Sequence, residues 1–288
     1  MPNTPIRLGD NVYPNLAFIG AGNMARAIIA GLVKTGYPKK AICVSAPSLQ
    51  NREFISNTYG VLHKEDNKRN AKEAHAIILA VKPQMMQEVC LKLKNEVNLK
   101  DKLVITLAAG IDTAQYKKWL GESVQIVRVM PNTPALIGEG MSGIFCPLQT
   151  SEGAKLFVQK LMKSVGEVCF LEDESQMHAF IATAGSSPAY FFKFMQFIEA
   201  SAIQLGCSKE EAKRLVLQSA KGAILLACEA PELSFQTLAD QVTSKGGTTE
   251  QALNTFDKLD LEMTIKAAMS AAAEKSKAMS ISFAEDNS

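Results

Sequence analysis

Short apolar segments that can form strands alternate with helical segments along residues 16–171 of this 288-residue chain. The predicted strands are almost continuously apolar, which is typical of strands covered by helices on both faces. They comprise residues 16–20, 41–45, 61–63, 76–81, 103–108, 124–129 and 167–171. Gly36 and Gly166 end two of the intervening helices. This alternation predicts an α/β domain with a parallel, doubly wound sheet.

From about residue 172 onward the strand pattern is lost and apolar residues recur at helical spacing. Ser208 with Glu211 predicts a capping box at the start of a helix that runs to about Glu229. The sequence therefore predicts an irregular leader over residues 1–15, the α/β domain over residues 16–171, and an all-helical domain over residues 172–288.

The predicted helices over residues 187–205 and 260–279 are apolar around much of their circumference. Either one helix is buried at the centre of its domain, or the helices pack against a second subunit. Subunit packing is the favoured interpretation.

Composition argues against several classes of function. A net charge of +2 does not favour a nucleic-acid partner, and no apolar stretch approaches the ~20 residues of a membrane span. The first 15 residues lack the apolar block of a signal peptide, so we expect a cytoplasmic protein. The six cysteines form no CxxC pair and there are only three histidines, so we expect buried free thiols and no metal site.

A glycine-rich turn, LAFIGAGNMARAI, joins the first predicted strand to the first helix. Its first glycine permits a tight turn, its second lets backbone amides approach a pyrophosphate, and the alanine after them allows close packing of helix on sheet. The helix N-terminus adds partial positive charge. The pattern predicts dinucleotide binding by a Rossmann-type domain. The residues of this turn predicted to bind the cofactor are Gly20, Ala21, Gly22, Asn23, Met24 and Ala25.

The end of the second predicted strand indicates which dinucleotide binds. An NAD-specific site usually has an acid there for the ribose 2′-hydroxyl. This chain has Ser45 and Ser48 near the strand end and no acid before Glu53, so NADPH is favoured and NADH remains possible. Arg52 lies further along the chain than the strand end.

Two further strand ends, AVKP and LAAG, are expected to border the nicotinamide, because ligands of open α/β sheets lie outside the carboxyl ends of the strands. The loop over residues 130–140 contains two prolines and Asn132, and we expect it to be rigid. The residues of the two strand ends predicted to bind the cofactor are Ala80, Val81, Lys82, Pro83, Ala108 and Ala109.

Two segments in the second half of the chain have the pattern of helix starts. In ATAGSSPAY, Pro188 suits a first helical turn. In TSKGGTTEQAL, Thr248 with Gln251 predicts a capping box directly after Gly246 and Gly247. An ordinary helix start explains either pattern, but the free amides and hydroxyls also suit a small anion.

The segments FIGAGNMARAIIAGL, AVKPQMM, VRVMPNTPALIGEGM, GSSPAYFF and SKGGTTEQAL, in this order, resemble those of pyrroline-5-carboxylate reductases. The resemblance covers nearly the whole chain from residue 16. It implies a Rossmann domain followed by a helical domain that forms dimers, which can assemble further into rings. It also implies that NADPH transfers hydride to the cyclic imine 1-pyrroline-5-carboxylate, giving proline.

The resemblance also implies roles for individual residues. The amides of Thr248 and Thr249 would bind the substrate carboxylate, and the Thr249 hydroxyl would approach the ring nitrogen as the catalytic group. Asn67 would contact the adenosine end of the cofactor. The residues implied to bind the substrate are Glu174, Ser244, Gly246, Gly247, Thr248 and Thr249.

Two positions depart from the family pattern. Lys245 stands where a proline is usual, and Ala184 where a serine is usual. Three alternatives remain open: a 3-hydroxyacid dehydrogenase, a reductase of a related imine, and a non-catalytic NADP-binding protein. The dehydrogenase would need a general acid, and Lys193 is its candidate, expected at the solvent edge of a mostly apolar helix.

Overall fold

The computed structural model describes residues 7–285. They form two compact units, of which the second is Ser187–Ala271. The first unit runs up to Ser186 and includes the C-terminal segment from Ala272. Residues 172–186 therefore belong to the same compact unit as the sheet. The sequence pattern, in contrast, predicts that the helical domain begins at residue 172.

The start of the described chain is a short hairpin. Strand β1, Arg7–Leu8, pairs antiparallel with strand β2, Asn11–Val12. The prediction of an irregular leader is therefore wrong for residues 7–12. Two-residue strands are too short to show an apolar pattern in the sequence, so this pairing could not be predicted. Residues 1–6 of the predicted leader lie outside the described residues.

An eight-stranded sheet forms the centre of the first unit, in the order β10–β9–β8–β7–β6–β3–β4–β5. This confirms the predicted α/β fold. The strands are β3 Leu16–Ile19, β4 Ile42–Ser45, β5 Leu62–Lys64, β6 Ala76–Leu79, β7 Leu103–Thr106, β8 Gln125–Met130, β9 Gly140–Phe145 and β10 Gly166–Leu171.

Strand β9 corrects the prediction of a purely parallel sheet. It runs antiparallel to β8. The other neighbouring pairs of this sheet, including β9 with β10, are parallel. Its sequence, GMSGIF, has no continuous apolar run and is not among the predicted strands. The small residues are needed by packing, since a Cβ added at Gly143 would lie 2.8 Å from the ring of Phe180.

Helices cover both faces of the sheet, as the apolar strands require. Consecutive residues of β3 belong to different buried clusters: Leu16 and Phe18 to one, Ala17 and Ile19 to the other. Because side chains of a strand alternate between faces, the two clusters are the cores on either side. The helices are α1 Asn23–Lys34, α2 Leu49–Tyr59, α3 Asn67–Glu73, α4 Met86–Glu96, α5 Thr113–Leu120 and α6 Glu152–Lys163.

After β10 the described chain contains helices and no strand, as predicted. The capping box of Ser208 and Glu211 is present, and its helix ends at Glu229 as expected. The long helix at GSSPAY begins at Ser187 and follows a π-helix over Ile181–Gly185. The helices are α7 Gln176–Phe180, α8 Ser187–Gln204, α9 Lys209–Glu229, α10 Phe235–Gln241, α11 Thr248–Lys258 and α12 Leu261–Glu285.

The second unit leaves most of its apolar side chains uncovered. No residue of α8 is buried, and Ala212 and Val216 of α9 are the buried apolar residues of this unit, all of which is described. The side chains of Phe191 and Phe197 are 60% and 57% exposed. The alternative of a central helix buried within one chain is therefore wrong.

All six cysteines are free thiols, but the expectation that they are buried holds for only two of them. Burial raises the pKa of Cys43 to about 11 and that of Cys90 to about 12, so both remain protonated at neutral pH. Cys169 and Cys228 are exposed. Over residues 7–285, no cluster of side chains could hold a metal ion, and no helix has the length and apolar character to cross a membrane.

Candidate active site

Three strand ends meet at the glycine-rich turn. The amide of Gly20 donates to the carbonyl of Ser45 (2.8 Å), and the amide of Ala80 donates to the carbonyl of Ile19 (2.8 Å). Gly20 has a φ of +109°, and a Cβ there would lie 2.6 Å from the carbonyl oxygen of Ala80. Only glycine fits this position, so the structure supports the predicted tight turn.

The N-terminus of α1 is an open site for an anion. Gly22 is the N-cap residue, and no side chain caps the free amides of this 12-residue helix. A Cβ added at Gly22 would meet no atom within 4 Å, so a ligand can approach the backbone. Ala25 is fully buried against the sheet. Uncapped amides at an open helix start fit a pyrophosphate group.

Four of the predicted cofactor residues line one pocket of about 120 Å³ beside this turn: Gly20, Ser45, Asn67 and Val81. The buried Ser45 hydroxyl donates to Oδ1 of Asn67 (2.8 Å) and accepts from Nδ2 of Asn70 (3.1 Å). Ser45 therefore orients Asn67. This arrangement suits the adenosine half of a dinucleotide, since the pocket lies at the carboxyl ends of β3 and β4.

Arg52 is not available to this pocket. Its Nη1 donates to the carbonyls of Ala46 (2.8 Å) and Pro47 (2.9 Å), and its Nη2 lies 3.5 Å from Oε2 of Glu65. The side chain is 8% exposed. Arg52 thus holds the loop after β4 in place, and a phosphate could reach it only by breaking these contacts.

The strand ends predicted to border the nicotinamide belong to the same edge of the sheet. Lys82 precedes a 3₁₀ turn, Pro83–Met85, and Ala109 directly precedes Gly110, whose φ is +77°. Ala108 is buried.

The side chain of Asn132 holds the loop after β8 at two points. The Asn132 side chain accepts from the amide of Met141 (2.9 Å) and donates to the carbonyl of Ala184 (2.9 Å). The segment between Asn132 and β9 is a 3₁₀ helix, Thr133–Ile137.

A buried arginine joins three parts of the first unit. Nη1 of Arg128 in β8 lies 2.5 Å from Oδ1 of Asp112 and 3.0 Å from Oε1 of Glu174. Glu174 also accepts from the amide and the hydroxyl of Thr113. Both carboxylate oxygens of this predicted substrate residue are therefore engaged within the first unit, and contact with substrate stays a prediction. A charged residue inside the apolar strand VQIVRV is the sequence signal for this cluster.

The C-terminal part of α12 contacts the same cluster. The Ser280 hydroxyl donates to Oδ1 of Asp112 (3.3 Å), and Ser276 Oγ lies 2.9 Å from Nδ1 of His178. Partial burial, followed by the nearby Arg128 charge, lowers the pKa of His178. Since a neutral imidazole is favoured at this position, His178 adds no further positive charge beside the arginine.

The turn at Ser244–Gly247 in the second unit brings together the other predicted substrate residues. Gly246 has a φ of +73°, which favours glycine, and the Gly247 amide donates to the carbonyl of Ser244 (2.9 Å). A Cβ added at Gly247 would lie 2.9 Å from that carbonyl oxygen. Both glycines are therefore required by the turn that precedes α11.

The predicted capping box of Thr248 and Gln251 is wrong. The N-cap residue is Gly247, and Thr248 is already the first helical residue. The carboxylate of Glu250 accepts from the amide of Gly246 (2.8 Å). No side chain caps the first-turn amides of α11, which leaves those of Thr248 and Thr249 free for a ligand.

Two family models match the chain. The model described as pyrroline-5-carboxylate reductase dimerisation matches residues 174–279. The model described as NADP oxidoreductase, coenzyme F420-dependent, matches residues 15–110, which include the glycine-rich turn.

Curated relatives and solved structures match over nearly the full chain. Pyrroline-5-carboxylate reductases of Vibrio alginolyticus and Haemophilus influenzae are 45% and 46% identical, over 93% of this chain and 98% of theirs. The structure of the Coxiella burnetii reductase has a TM-score of 0.88 at 39% identity, covering 93% and 99% of the two chains. The Plasmodium falciparum enzyme with NADP bound has a TM-score of 0.83 at 29% identity, covering 93% and 98%. With this similarity spanning both the glycine-rich turn and the turn before α11, the chain belongs to the pyrroline-5-carboxylate reductase family.

Proposed function

We propose that this protein catalyses the NADPH-dependent reduction of 1-pyrroline-5-carboxylate to L-proline. The observation that carries the proposal is the start of α11, where two required glycines precede amides that no side chain caps. Together with the open start of α1, the chain offers one anion site for a pyrophosphate and a second for a small carboxylate.

The chemistry needs little from the side chains. A protonated cyclic imine is already an electrophile, and bound NADPH supplies the hydride that adds to the imine carbon. The new C–H bond forms as the C=N π electrons move to nitrogen, which keeps its proton. The protein's task is to hold the ring in the reactive geometry, and positioning of this kind can lower a barrier by roughly 7–11 kcal/mol.

Each residue of the turn before α11 has a distinct part in the proposal. The amides of Thr248 and Thr249 bind the carboxylate, helped by the partial positive charge of the helix start. The Thr249 hydroxyl faces the ring nitrogen and is the proposed catalytic group. Ser244 contacts the substrate, and the two glycines shape the turn.

The reaction is tested by following NADPH absorbance after addition of 1-pyrroline-5-carboxylate. We expect turnover with NADPH and slower turnover with NADH, with no oxidation of NADPH by 3-oxo acids. Turnover of 3-oxo acids alone would favour a hydroxyacid dehydrogenase, and cofactor binding without any turnover would favour a non-catalytic role. A six-membered cyclic imine carboxylate in the same assay measures how strictly ring size is selected.

The structure does not favour the hydroxyacid dehydrogenase. Its candidate acid, Lys193, is exposed, and its Nζ lies 3.1 Å from Oε1 of Gln196 and 4.7 Å from the ring centre of Phe197. A general acid must lie within hydrogen-bond reach of the carbonyl oxygen of a bound substrate, and both of these contacts are with side chains of α8 itself.

Thr249→Val is expected to lower kcat by about tenfold to a hundredfold, because valine has the shape of threonine but lacks the hydroxyl that steadies the ring nitrogen. Thr249→Ser keeps the hydroxyl and should retain most of the activity. Steady-state kinetics at saturating NADPH measure both variants. If the valine variant turns over as fast as the wild type, the hydroxyl has no catalytic role.

The helical domain is proposed to form a dimer, because α8 has no buried residue and its phenylalanines are exposed in one chain. Burial of large apolar patches is the usual reason for such surfaces. The mass in solution, measured by light scattering, should be at least twice the 31.2 kDa of the chain. A multiple of that dimer mass would support a ring of dimers, and a monomer would contradict the proposal.

We also propose that the protein is located in the cytoplasm, which cell fractionation tests.

A further inference from the structure

One face of helix α4 lines the pocket that holds Ser45 and Asn67. Together with Met85 just before the helix, Glu88, Val89 and Lys92 border this pocket. Their spacing of three, four and seven residues places them on one side of the helix. The adjacent side packs into the core through Met86, Cys90 and Leu93, which are buried. Burial of that side leaves α4 little freedom to rotate, so its pocket face is fixed.

Among the residues that line the pocket, all of them within the described part of the chain, Lys92 is the one cation and Glu88 the one acid. Two other cations near the end of β4 are already engaged. Arg52 donates to two carbonyls and pairs with Glu65, and Lys64, the register partner of Ser45, lies 2.7 Å from Oε2 of Glu73. The Ser48 hydroxyl accepts from the amide of Asn51 as the cap of α2. Lys92 is therefore the side chain best suited to a dianionic group at this pocket.

Lys92 has a partner in this structure. Its Nζ lies 2.5 Å from Oε1 of Glu88, and both side chains are about two-thirds exposed. This contact raises the pKa of Lys92 and lowers the pKa of Glu88. An exposed ion pair of this kind is weak, so a ligand with more charge can replace one of its partners.

We propose that Lys92 determines the preference for NADPH by binding its 2′-phosphate, and that Glu88 holds Lys92 beside the pocket until the phosphate takes its place. The inference rests on the proposed use of NADPH. It accounts for a chain that lacks an arginine at the tip of β4 yet has no acid there to repel the phosphate. A 2′-hydroxyl carries no charge, so NADH would leave the pair with Glu88 intact.

Binding of two fragments tests the proposal without catalysis. Calorimetry with 2′,5′-ADP and 5′-AMP is carried out on the wild type and on Lys92→Met. We expect Lys92→Met to weaken binding of 2′,5′-ADP by about tenfold, in line with loss of one charge-assisted contact. Binding of 5′-AMP should be unchanged. Equal loss for both fragments would show contact with adenine instead, and no loss for either would overturn the proposal.

Two further variants complete the experiment. Lys94→Met removes the same charge from the same helix at an exposed position that does not line the pocket, and should leave both affinities unchanged. If Lys94→Met weakens 2′,5′-ADP binding as much as Lys92→Met does, Lys92 acts only through long-range charge, and the proposal is overturned. Glu88→Gln frees Lys92 and should tighten 2′,5′-ADP by about twofold to threefold, since the displaced pair is weak.

The wild type separates failure of this inference from failure of the NADPH preference. If it binds 2′,5′-ADP no tighter than 5′-AMP, the preference itself is wrong and the role of Lys92 falls with it. If the wild type prefers 2′,5′-ADP and Lys92→Met keeps that preference, NADPH use stands and only the role of Lys92 is overturned.

Discussion

Gly20→Ala is expected to weaken NADPH binding by at least a hundredfold. The added Cβ would lie 2.6 Å from the carbonyl oxygen of Ala80, and the backbone at +109° is one that alanine rarely adopts. The turn must therefore open, which separates the ends of β3 and β6 and moves the start of α1 away from the pyrophosphate. Quenching of protein fluorescence by NADPH measures the affinity, and urea unfolding should show a loss of stability as well.

Gly22→Ala is the matched comparison for Gly20→Ala. Its Cβ meets no atom within 4 Å, so the unfolding midpoint should stay close to that of the wild type. NADPH binding should still weaken by about tenfold, because the methyl group occupies the space through which a phosphate reaches the amides. Unchanged NADPH affinity in Gly22→Ala would contradict a pyrophosphate at the start of α1. A stable, fully binding Gly20→Ala would contradict the strained turn.

Arg128→Met is expected to destabilise the first unit by about 3–5 kcal/mol, the usual cost of removing one partner of a buried ion pair. Arg128 is 1% exposed, and its loss leaves the carboxylates of Asp112 and Glu174 without their shared cation. The midpoint of urea unfolding, followed by circular dichroism, measures the change. We also expect faster proteolysis near Ser280 than in the wild type. The Ser280 hydroxyl donates to Asp112, and Asp112 is no longer held by Arg128 in the variant.

Arg69→Met serves as the control for arginine removal. Arg69 is exposed, and its Nε lies 3.9 Å from Oδ2 of Asp66. The free energy of unfolding should therefore change by less than about 0.5 kcal/mol. Combining Arg128→Met with Glu174→Gln should restore part of the lost stability, because one uncompensated charge is removed. If Arg128→Met costs no more than Arg69→Met, the buried cluster does not stabilise the fold.

Elements with a complete local signal could be predicted from the sequence nearly residue by residue. Helix α9 begins after the Ser208 cap and ends at Glu229 as expected, since both the cap and the apolar spacing lie within the helix itself. The turn of Gly20 and Gly22 has the predicted roles, because a tight turn and an open helix start depend on residues that are adjacent in the chain.

Features that depend on distant partners could not be predicted. Strand β9 is not among the predicted strands because Gly143 is required by contact with Phe180, which lies 37 positions away in the sequence. The sequence shows Arg128 inside an apolar strand, but not that Asp112 and Glu174 meet it. At α11 a one-residue change in where the helix begins replaces the predicted Thr248–Gln251 box with a contact of Glu250 to Gly246.

The order of apolar segments, the two glycine-bearing turns and the family motifs by themselves determined the α/β fold, the helical second half and the family, since each is encoded by neighbours in the chain. Tertiary structure alone decided the direction of β9, the contacts of Arg128 with Asp112 and Glu174, and the placement of Lys92 on the pocket that Ser45 also lines. The physical reason is the same in all three cases. Pairing, burial and charge contacts join residues that are far apart in sequence, and their free energy exists only once the chain has brought them together.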